Sequence, residues 1–230
     1  MKVLISAFLL SLFMISGHAQ ELFYSVHGSY KHPITKEKIS KARSMSDIIL
    51  YYPANWIKSY VSVNISANID GNTKIAGSVN DILSQEQINL LNAAVTGTEI
   101  IIDIHYHPQD HTSNQNDIGK MHYSTTVIPE NEALFPDGKE LLTKYLKENA
   151  IDKISSEEIE KLQPAVVRFI INEEGEIANA HLSMTSGNPE VDKLLLETVN
   201  KMPNWNPATD SKGQKVKQEF EFTVSGNEGC

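Results

Sequence analysis

Residues 164–208 read PAVVRFIINEEGEIANAHLSMTSGNPEVDKLLLETVNKMPNWNPA, and this stretch decides the fold of the C-terminal part of the chain. It begins with an apolar segment, turns at Gly175 and returns in a second segment, which is typical of a β-hairpin. Asn188 and Pro189 then begin a run with apolar residues at helical spacing, because asparagine caps helix starts and proline is tolerated in the first turn. Pro203 ends that run. The stretch therefore predicts strand, strand and helix in that order.

The flanking segments complete a domain over residues 134–224. Residues 137–151 are amphipathic and predict a preceding helix, and residues 215–224 alternate apolar and polar side chains as a final strand does. The order predicts an α+β fold in which a three-stranded antiparallel sheet carries two helices on one face. We expect residues 215–224 to be the exposed edge strand that binds a partner, with these side chains outward: Lys215, Lys217, Glu219, Glu221 and Thr223.

The N-terminal half has a different pattern. Residues 61–69 alternate as a half-buried strand does, residues 70–72 (DGN) are a hairpin turn signal, and Ser84 with Gln87 predicts a capping box at a helix start. We therefore expect a small β-rich domain with one helix. The remaining ranges are predicted as a lead-in segment with little order and at most one edge strand (20–43), the β-rich domain (44–107), a linker (108–133) and a tail (225–230). The alternative for part of the linker is a short strand at residues 122–128.

The first 19 residues have the pattern of a secretory signal peptide: Lys2, a short apolar run and small residues ending at Ala19. We expect cleavage before Gln20 and export to the periplasm, and the alternative is a retained inner-membrane anchor facing the periplasm. Cleavage leaves 19 basic and 29 acidic side chains, a net charge of -10, which disfavours nucleic acid as a partner. Cys230 is the single cysteine, so no internal disulfide is expected.

One histidine-rich segment suggests an alternative chemistry. His105, His107 and His111 follow an apolar strand, and two histidines at positions i and i+2 of a strand share a face on which zinc could bind. A metal-binding protein or a metal-dependent hydrolase is the alternative function on these residues. We find no Ser/His/Asp signature and no phosphate-binding loop, so we expect no catalytic residues, no cofactor and a protein that is not an enzyme.

Two aromatic groups have different expected positions. Trp205 lies in a short proline-flanked connector, where we expect it to fill the gap between the second helix and the sheet. Trp56, Tyr51, Tyr52 and Tyr60 are expected in the N-terminal core, and the alternative is an aromatic surface patch that binds a partner.

Several pieces resemble the TonB C-terminal domain in the form common in Bacteroidetes. FPDGKELLTKYLKEN (135–149) is similar to its opening helix, VVRFIINEEGEIANAHLSMTSG (166–187) to its hairpin, and NPEVDKLLLETVNKMPNWNPA (188–208) to its helix and connector. The residues that match the family motif, for which the resemblance implies a structural role, are Gly175, Asp192, Met202, Pro203, Trp205 and Pro207.

The resemblance implies a periplasmic domain that binds extended peptides of outer-membrane β-barrel transporters, or other envelope proteins, by adding them as a strand to a sheet edge. An energy transducer of the TonB type also needs a membrane anchor and a long proline-rich spacer. Here the apolar segment looks cleavable and the intervening region looks folded. The resemblance therefore favours binding over energy coupling.

A weaker resemblance covers the N-terminal half. LSQEQINLLNAAVTGTEIIIDI (83–104), within residues 44–107, is similar to periplasmic GldM-type domains. It implies another envelope interaction module, so an envelope assembly component without a transport role is a further alternative. The sequence also leaves open whether the chain forms a homodimer.

Overall fold

The computed structural model of the chain describes residues 22–109 and 117–226. Two separate hydrophobic cores lie against two β-sheets. We call residues 33–128 the N-terminal domain, and residues 131–226 together with the strand at residues 23–28 the C-terminal domain. Within the described ranges, no helix is both long enough and apolar enough to cross a bilayer. The predicted signal peptide lies outside the described residues.

The first half of the chain forms a five-stranded sheet with order β2-β6-β5-β3-β4, in which only β2 and β6 run parallel. One strand, β1, precedes this sheet and does not belong to it. The elements are β1 (Phe23–Gly28), β2 (Pro33–Thr35), α1 (Lys36–Lys41), α2 (Met45–Ile48), β3 (Ile57–Ile69), β4 (Asn72–Ser78), α3 (Gln85–Ala93), β5 (Glu99–Pro108) and β6 (Gly119–Ile128).

Local sequence explains the centre of this domain. The alternation in β3 places Val63 and its apolar neighbours in the core, and the chain reverses at Asp70 and Gly71, with φ angles of 53° and 77°. The capping box predicted at Ser84 is present, since Ser84 and Gln87 each bond the other's backbone N–H. Gln87 is also buried and donates to the Val63 carbonyl at 2.9 Å. The helix is thereby tied to the sheet through a buried amide that the pattern did not reveal.

The ends of this domain differ from the expectation. The lead-in has more order than predicted: its one expected edge strand is β1, and residues 33–41 add β2 and α1. The prediction of a linker is wrong over residues 119–128, but the alternative of a short strand at residues 122–128 is confirmed, because these residues belong to β6, which pairs with β5 and β2. Residues 44–107, for which one helix was predicted, contain α2 as well as α3. The cause is long-range pairing: β2 has only three residues and no local pattern, and it exists because β6 lies beside it.

The second half of the chain forms a four-stranded antiparallel sheet with order β1-β11-β7-β8. Helices α4 and α6 contribute Leu142, Leu146, Leu195 and Val199 to the core on one side of it. The elements are α4 (Lys139–Asn149), α5 (Ser156–Ile159), β7 (Ala165–Ile171), β8 (Ile177–Met184), α6 (Pro189–Asn200), β9 (Ala208–Thr209), β10 (Lys215–Val216) and β11 (Gln218–Ser225).

The mixed helix-and-sheet class agrees with the α+β prediction, but the sheet differs in one strand. The expected three strands are joined by β1, which comes from outside residues 134–224. The expected edge strand over residues 215–224 divides into β10, which pairs with β9, and β11, which lies between β1 and β7. The prediction that this segment is an exposed edge is therefore wrong, because a strand from before the N-terminal domain covers it.

Candidate partner-binding site

The C-terminal sheet has two outer strands, β1 and β8, and β8 is a poor template for a further strand. Its pairing with β7 is interrupted by two register shifts, between Val166 and Val167 and between Arg168 and Ile170. Asn179 on β8 has a φ angle of 51°, which takes its backbone out of the extended conformation. Bulges of this kind discourage edge-to-edge pairing, because they break the row of N–H and C=O groups.

The other side of the sheet is regular. β1 pairs with β11 over six consecutive residues, from Phe23 opposite Ser225 to Gly28 opposite Phe220, with no register shift. The Ser29 N–H donates to the Glu219 carbonyl at 3.0 Å and extends the ladder by one residue. A position for an extended antiparallel strand therefore exists beside β11, and β1 fills it.

Some of the side chains expected to contact a partner already have partners within the chain. Glu221 pairs with Arg168 at 2.7 Å and accepts a hydrogen bond from the Ser29 hydroxyl at 2.9 Å. The hydroxyl oxygens of Thr223 and Ser25 lie 3.0 Å apart across β11 and β1. These contacts hold β1 in its place.

The remaining three lie elsewhere. Lys215 belongs to the short β10 and not to β11. Lys217 and Glu219 line a cleft between the two domains, where Ile170 and residues 95–99 also contribute to the wall. The structure thus spreads the five expected contact residues over three environments and does not gather them on one open edge.

The family motif has a structural explanation at Gly175 and Trp205. Gly175 has a φ angle of 86°, and a Cβ added to it would lie 2.0 Å from the Trp205 carbonyl oxygen. The Trp205 N–H in turn donates to the Gly175 carbonyl at 2.7 Å. The hairpin turn and the connector therefore touch backbone to backbone, which only glycine permits here. The Trp205 ring is buried against three aromatic rings: Phe135, Phe169 and Phe220.

The other motif residues anchor the two ends of α6. Asp192 accepts hydrogen bonds from the Ser186 N–H at 2.7 Å and from the Thr185 hydroxyl. Partial burial alone would raise the pKa of the Asp192 carboxyl, but these hydrogen bonds outweigh it and lower the pKa. At the other end, Met202 is buried. Pro203 and Pro207 flank the connector, which pairs with residue 134 through backbone hydrogen bonds of 2.8 and 2.9 Å to residue 206.

The histidines considered as metal ligands do not converge in the structure. The His105 Nδ1 lies 3.5 Å from the Ser62 hydroxyl, and the His107 Nδ1 lies 3.3 Å from the Asp117 carbonyl oxygen. His111 lies outside the described residues. Among the described residues, no three His, Cys, Asp or Glu side chains are grouped so that they could hold a metal ion. The described geometry therefore offers no support for the hydrolase alternative.

The N-terminal domain exposes two aromatic side chains that we expected in its core. Trp56 is 61% exposed and Tyr51 is 91% exposed, so the prediction of burial is wrong for both. Tyr51 has a φ angle of 59° and lies in the turn after α2. Tyr52 and Tyr60, expected in the same core, pack partly against it, with their hydroxyl oxygens 3.0 Å apart.

Residues 164–225 match a family model described as Gram-negative bacterial TonB protein C-terminal. The matched range spans the hairpin, α6, the connector and β11. It confirms the resemblance inferred from the sequence, and the opening helix and the N-terminal domain lie outside it. No curated protein and no solved structure was found to match the chain.

Proposed function

We propose that this chain, whose residues 164–225 belong to the TonB C-terminal domain family, is a periplasmic interaction module that contacts outer-membrane β-barrel transporters. The family assigns the C-terminal domain a role in protein–protein interaction in the cell envelope. The finer proposal is that an extended segment of the transporter adds to the four-stranded sheet as a strand. In such a complex the main-chain hydrogen bonds supply affinity, and alternate side chains supply specificity.

The observation that carries this proposal is the family match. The regular pairing beside β11 supports strand addition as the way in which the partner binds. An extended strand of six residues fits there in antiparallel register. The bulged β8 leaves the β11 side as the better place for a partner strand. The acidic net charge of the chain supports a protein partner over a nucleic acid.

The first experiment identifies the partner. The full chain, purified with an affinity tag, is incubated with a detergent extract of the envelope, chemically cross-linked and recovered for mass spectrometry. We expect β-barrel receptors. Recovery of only soluble or inner-membrane proteins would contradict the proposal and favour an envelope assembly component.

A matched control tests which domain is responsible. Trp56→Ser removes an exposed aromatic side chain of the N-terminal domain and leaves the C-terminal domain untouched. If the C-terminal domain binds, this variant recovers the same receptors as the native chain. Loss of the receptors with Trp56→Ser would assign binding to the aromatic surface of the N-terminal domain.

A second experiment tests the location. N-terminal sequencing of the protein from whole cells should give Gln20 as the first residue. Retention of residues 1–19 would support the anchored alternative, in which the chain stays attached to the inner membrane.

A further inference from the structure

We propose that β1 is a built-in substitute for the partner strand: it occupies the strand position beside β11, and a partner strand binds there only when β1 leaves. This inference rests on the proposed function, because it concerns the regulation and the ligand of the same site. It also defines the partner by chemistry, as an extended segment that carries apolar side chains at alternate positions and no acidic side chains between them.

The side chains of β1 give this description of the partner. Leu22 is buried in the C-terminal core, and Tyr24 and Val26 pack partly against it. These three residues alternate with positions that face away from the helices. Ser25 is one of those, and it bonds to Thr223. A competing segment must offer the same alternation to gain the same apolar contacts and hydrogen bonds.

Charge restricts the partner further. β1 contains no acidic side chain, and it lies beside a strand that carries Glu219 and Glu221. A partner segment with acidic residues at the outward positions would place like charges opposite each other, which destabilises strand pairing. A neutral or basic segment meets no such repulsion.

β1 is suited to leave without unfolding the domain. Together with Leu22 just before it, β1 adds one buried apolar side chain and two partly buried ones, whereas the core is dominated by β7, β11, α4 and α6. At its far end Ser29 is bonded to Glu219 and Glu221, and the Tyr30 hydroxyl donates to Glu132. Release therefore proceeds from residue 22 toward residue 29, because the hydrogen bonds of Ser29 and Tyr30 hold the other end.

Tethering sets the strength of the competition. Only residues 29–32 join β1 to the next strand, so β1 stays close to its place at an effective concentration on the order of millimolar. A free partner segment must outcompete this local strand, and its apparent affinity is the intrinsic affinity multiplied by the fraction of molecules in which β1 is open. Binding is then selective for partners that are well matched or locally concentrated.

The test uses a fluorescent peptide with the sequence of residues 20–30 as the probe, because it matches the site by construction. The protein is the full chain with Ser25→Cys, Thr223→Cys and Cys230→Ser. Residues 25 and 223 are opposite each other in the register, so oxidation locks β1 onto β11. We expect the probe to bind the reduced protein at least about tenfold more tightly than the oxidised protein.

A second pair of variants opens β1 instead of locking it. The Ser29 N–H bonds to β11, and in an antiparallel ladder every second residue of a strand makes such a bond, so the Ser25 N–H also points to β11. Ser25→Pro removes this hydrogen bond, whereas Ser25→Ala keeps it. We expect Ser25→Pro to bind the probe about tenfold more tightly than Ser25→Ala. Circular dichroism checks that both variants remain folded.

Each outcome decides the proposal. Equal probe binding by the oxidised and reduced forms means that the strand adds elsewhere, and it overturns the proposal. Absence of binding by both the reduced form and Ser25→Pro means that β1 is a permanent strand, and it also overturns the proposal. Receptor recovery is scored separately: if oxidised and reduced baits recover β-barrels equally, the proposed function stands and the β1 mechanism fails. If the probe binds as expected but no β-barrel receptor is recovered, the β1 mechanism stands and the proposed function fails.

Discussion

The two domains each place helices against a sheet, yet they build their sheets from different stretches of chain. The N-terminal sheet uses strands from residues 33–128 alone, whereas the C-terminal sheet takes β1 from the other side of the N-terminal domain. The N-terminal sheet is complete within one continuous segment. The C-terminal sheet is complete only when the start of the chain returns to it. The release of β1 that we propose would therefore change the C-terminal sheet and leave the N-terminal sheet complete.

The largest expected effect tests whether the two cores fail separately. Trp205→Ala removes the side chain that three aromatic rings surround, and we expect a loss of about 4 kcal/mol in the free energy of unfolding of the C-terminal domain. Hydrogen exchange resolved by residue should show loss of protection in β7 and β11 and little change in β3 and β5.

The control is Trp205→Phe. It keeps an aromatic ring, and the indole N–H that it removes has no hydrogen-bond partner among the described residues. We expect less than half the loss seen with alanine. Equal loss of protection in both domains with Trp205→Ala would show that the two cores are one cooperative unit, and it would contradict the expectation that they unfold separately.

The second effect concerns the contact between the hairpin turn and the connector. Gly175→Ala forces a Cβ to within 2.0 Å of the Trp205 carbonyl oxygen at a φ angle of 86°, and we expect a loss of about 3 kcal/mol. Gly213→Ala is the matched control, because its φ angle is 73° and nothing lies within 4 Å of the added Cβ. It should lose about 1 kcal/mol in urea denaturation. Similar losses of stability for the two variants would mean that the positive φ angle, and not the contact with Trp205, determines the loss.

The third effect depends on pH. The folded pKa of Asp192 lies below its ordinary value of 3.8, so its charged form stabilises the C-terminal domain. That contribution is complete above the ordinary value and is lost as pH falls through the folded value. Asp192→Asn should cost about 1 kcal/mol near pH 7 and less near pH 3, by urea denaturation at each pH. A difference that stays constant over this range would contradict the assignment.

The smallest effect concerns the segment that joins β1 to the N-terminal domain. Burial, aided by the hydrogen bond to Glu132, raises the pKa of Tyr30 to about 12 from an ordinary value of 10.0. The neutral hydroxyl therefore contributes stability that is complete below pH 10 and is lost as pH rises through about 12. Tyr30→Phe should cost about 0.5 kcal/mol at neutral pH and remove one late-titrating tyrosine from an ultraviolet absorbance titration.

The matched control for this last variant is Tyr51→Phe, which removes a hydroxyl from a ring that is almost entirely exposed. It should leave stability within error of the native chain. If Tyr30→Phe also opens β1, probe binding should increase slightly in the same variant. If the late part of the titration keeps its amplitude in Tyr30→Phe and only the early part decreases, another tyrosine accounts for the late titration.

The C-terminal elements could be predicted where neighbours in sequence are neighbours in space. The hairpin of β7 and β8 turns at Gly175, and α6 begins at Asn188, whose side chain accepts from the N–H groups of Glu190 and Val191. Local chemistry dictates such features, because a turn or a cap involves residues two to four positions apart. The β2–β6 pair could not be predicted, because no local pattern marks a three-residue strand.

The partner-binding site shows the same division between features that local sequence dictates and features that depend on a distant strand. The alternation over residues 215–224 predicts that the apolar side chains of β11 face inward, and Phe220, Phe222 and Val224 are buried. Alternation shows which side chains face the core but not which strand lies alongside, because strand pairing leaves no trace in one strand alone. Edge and interior strands of a one-sided sheet therefore have the same pattern.

The sequence by itself determined the class of the C-terminal domain and its buried side chains, because these follow from periodicity, turns and caps, and its motifs indicated the resemblance that residues 164–225 show. Only the tertiary structure decided that β1 crosses from the start of the chain and covers β11. The physical reason is that backbone hydrogen bonds between strands are the same for every residue type, so a distant strand can complete a sheet without a signature in either segment.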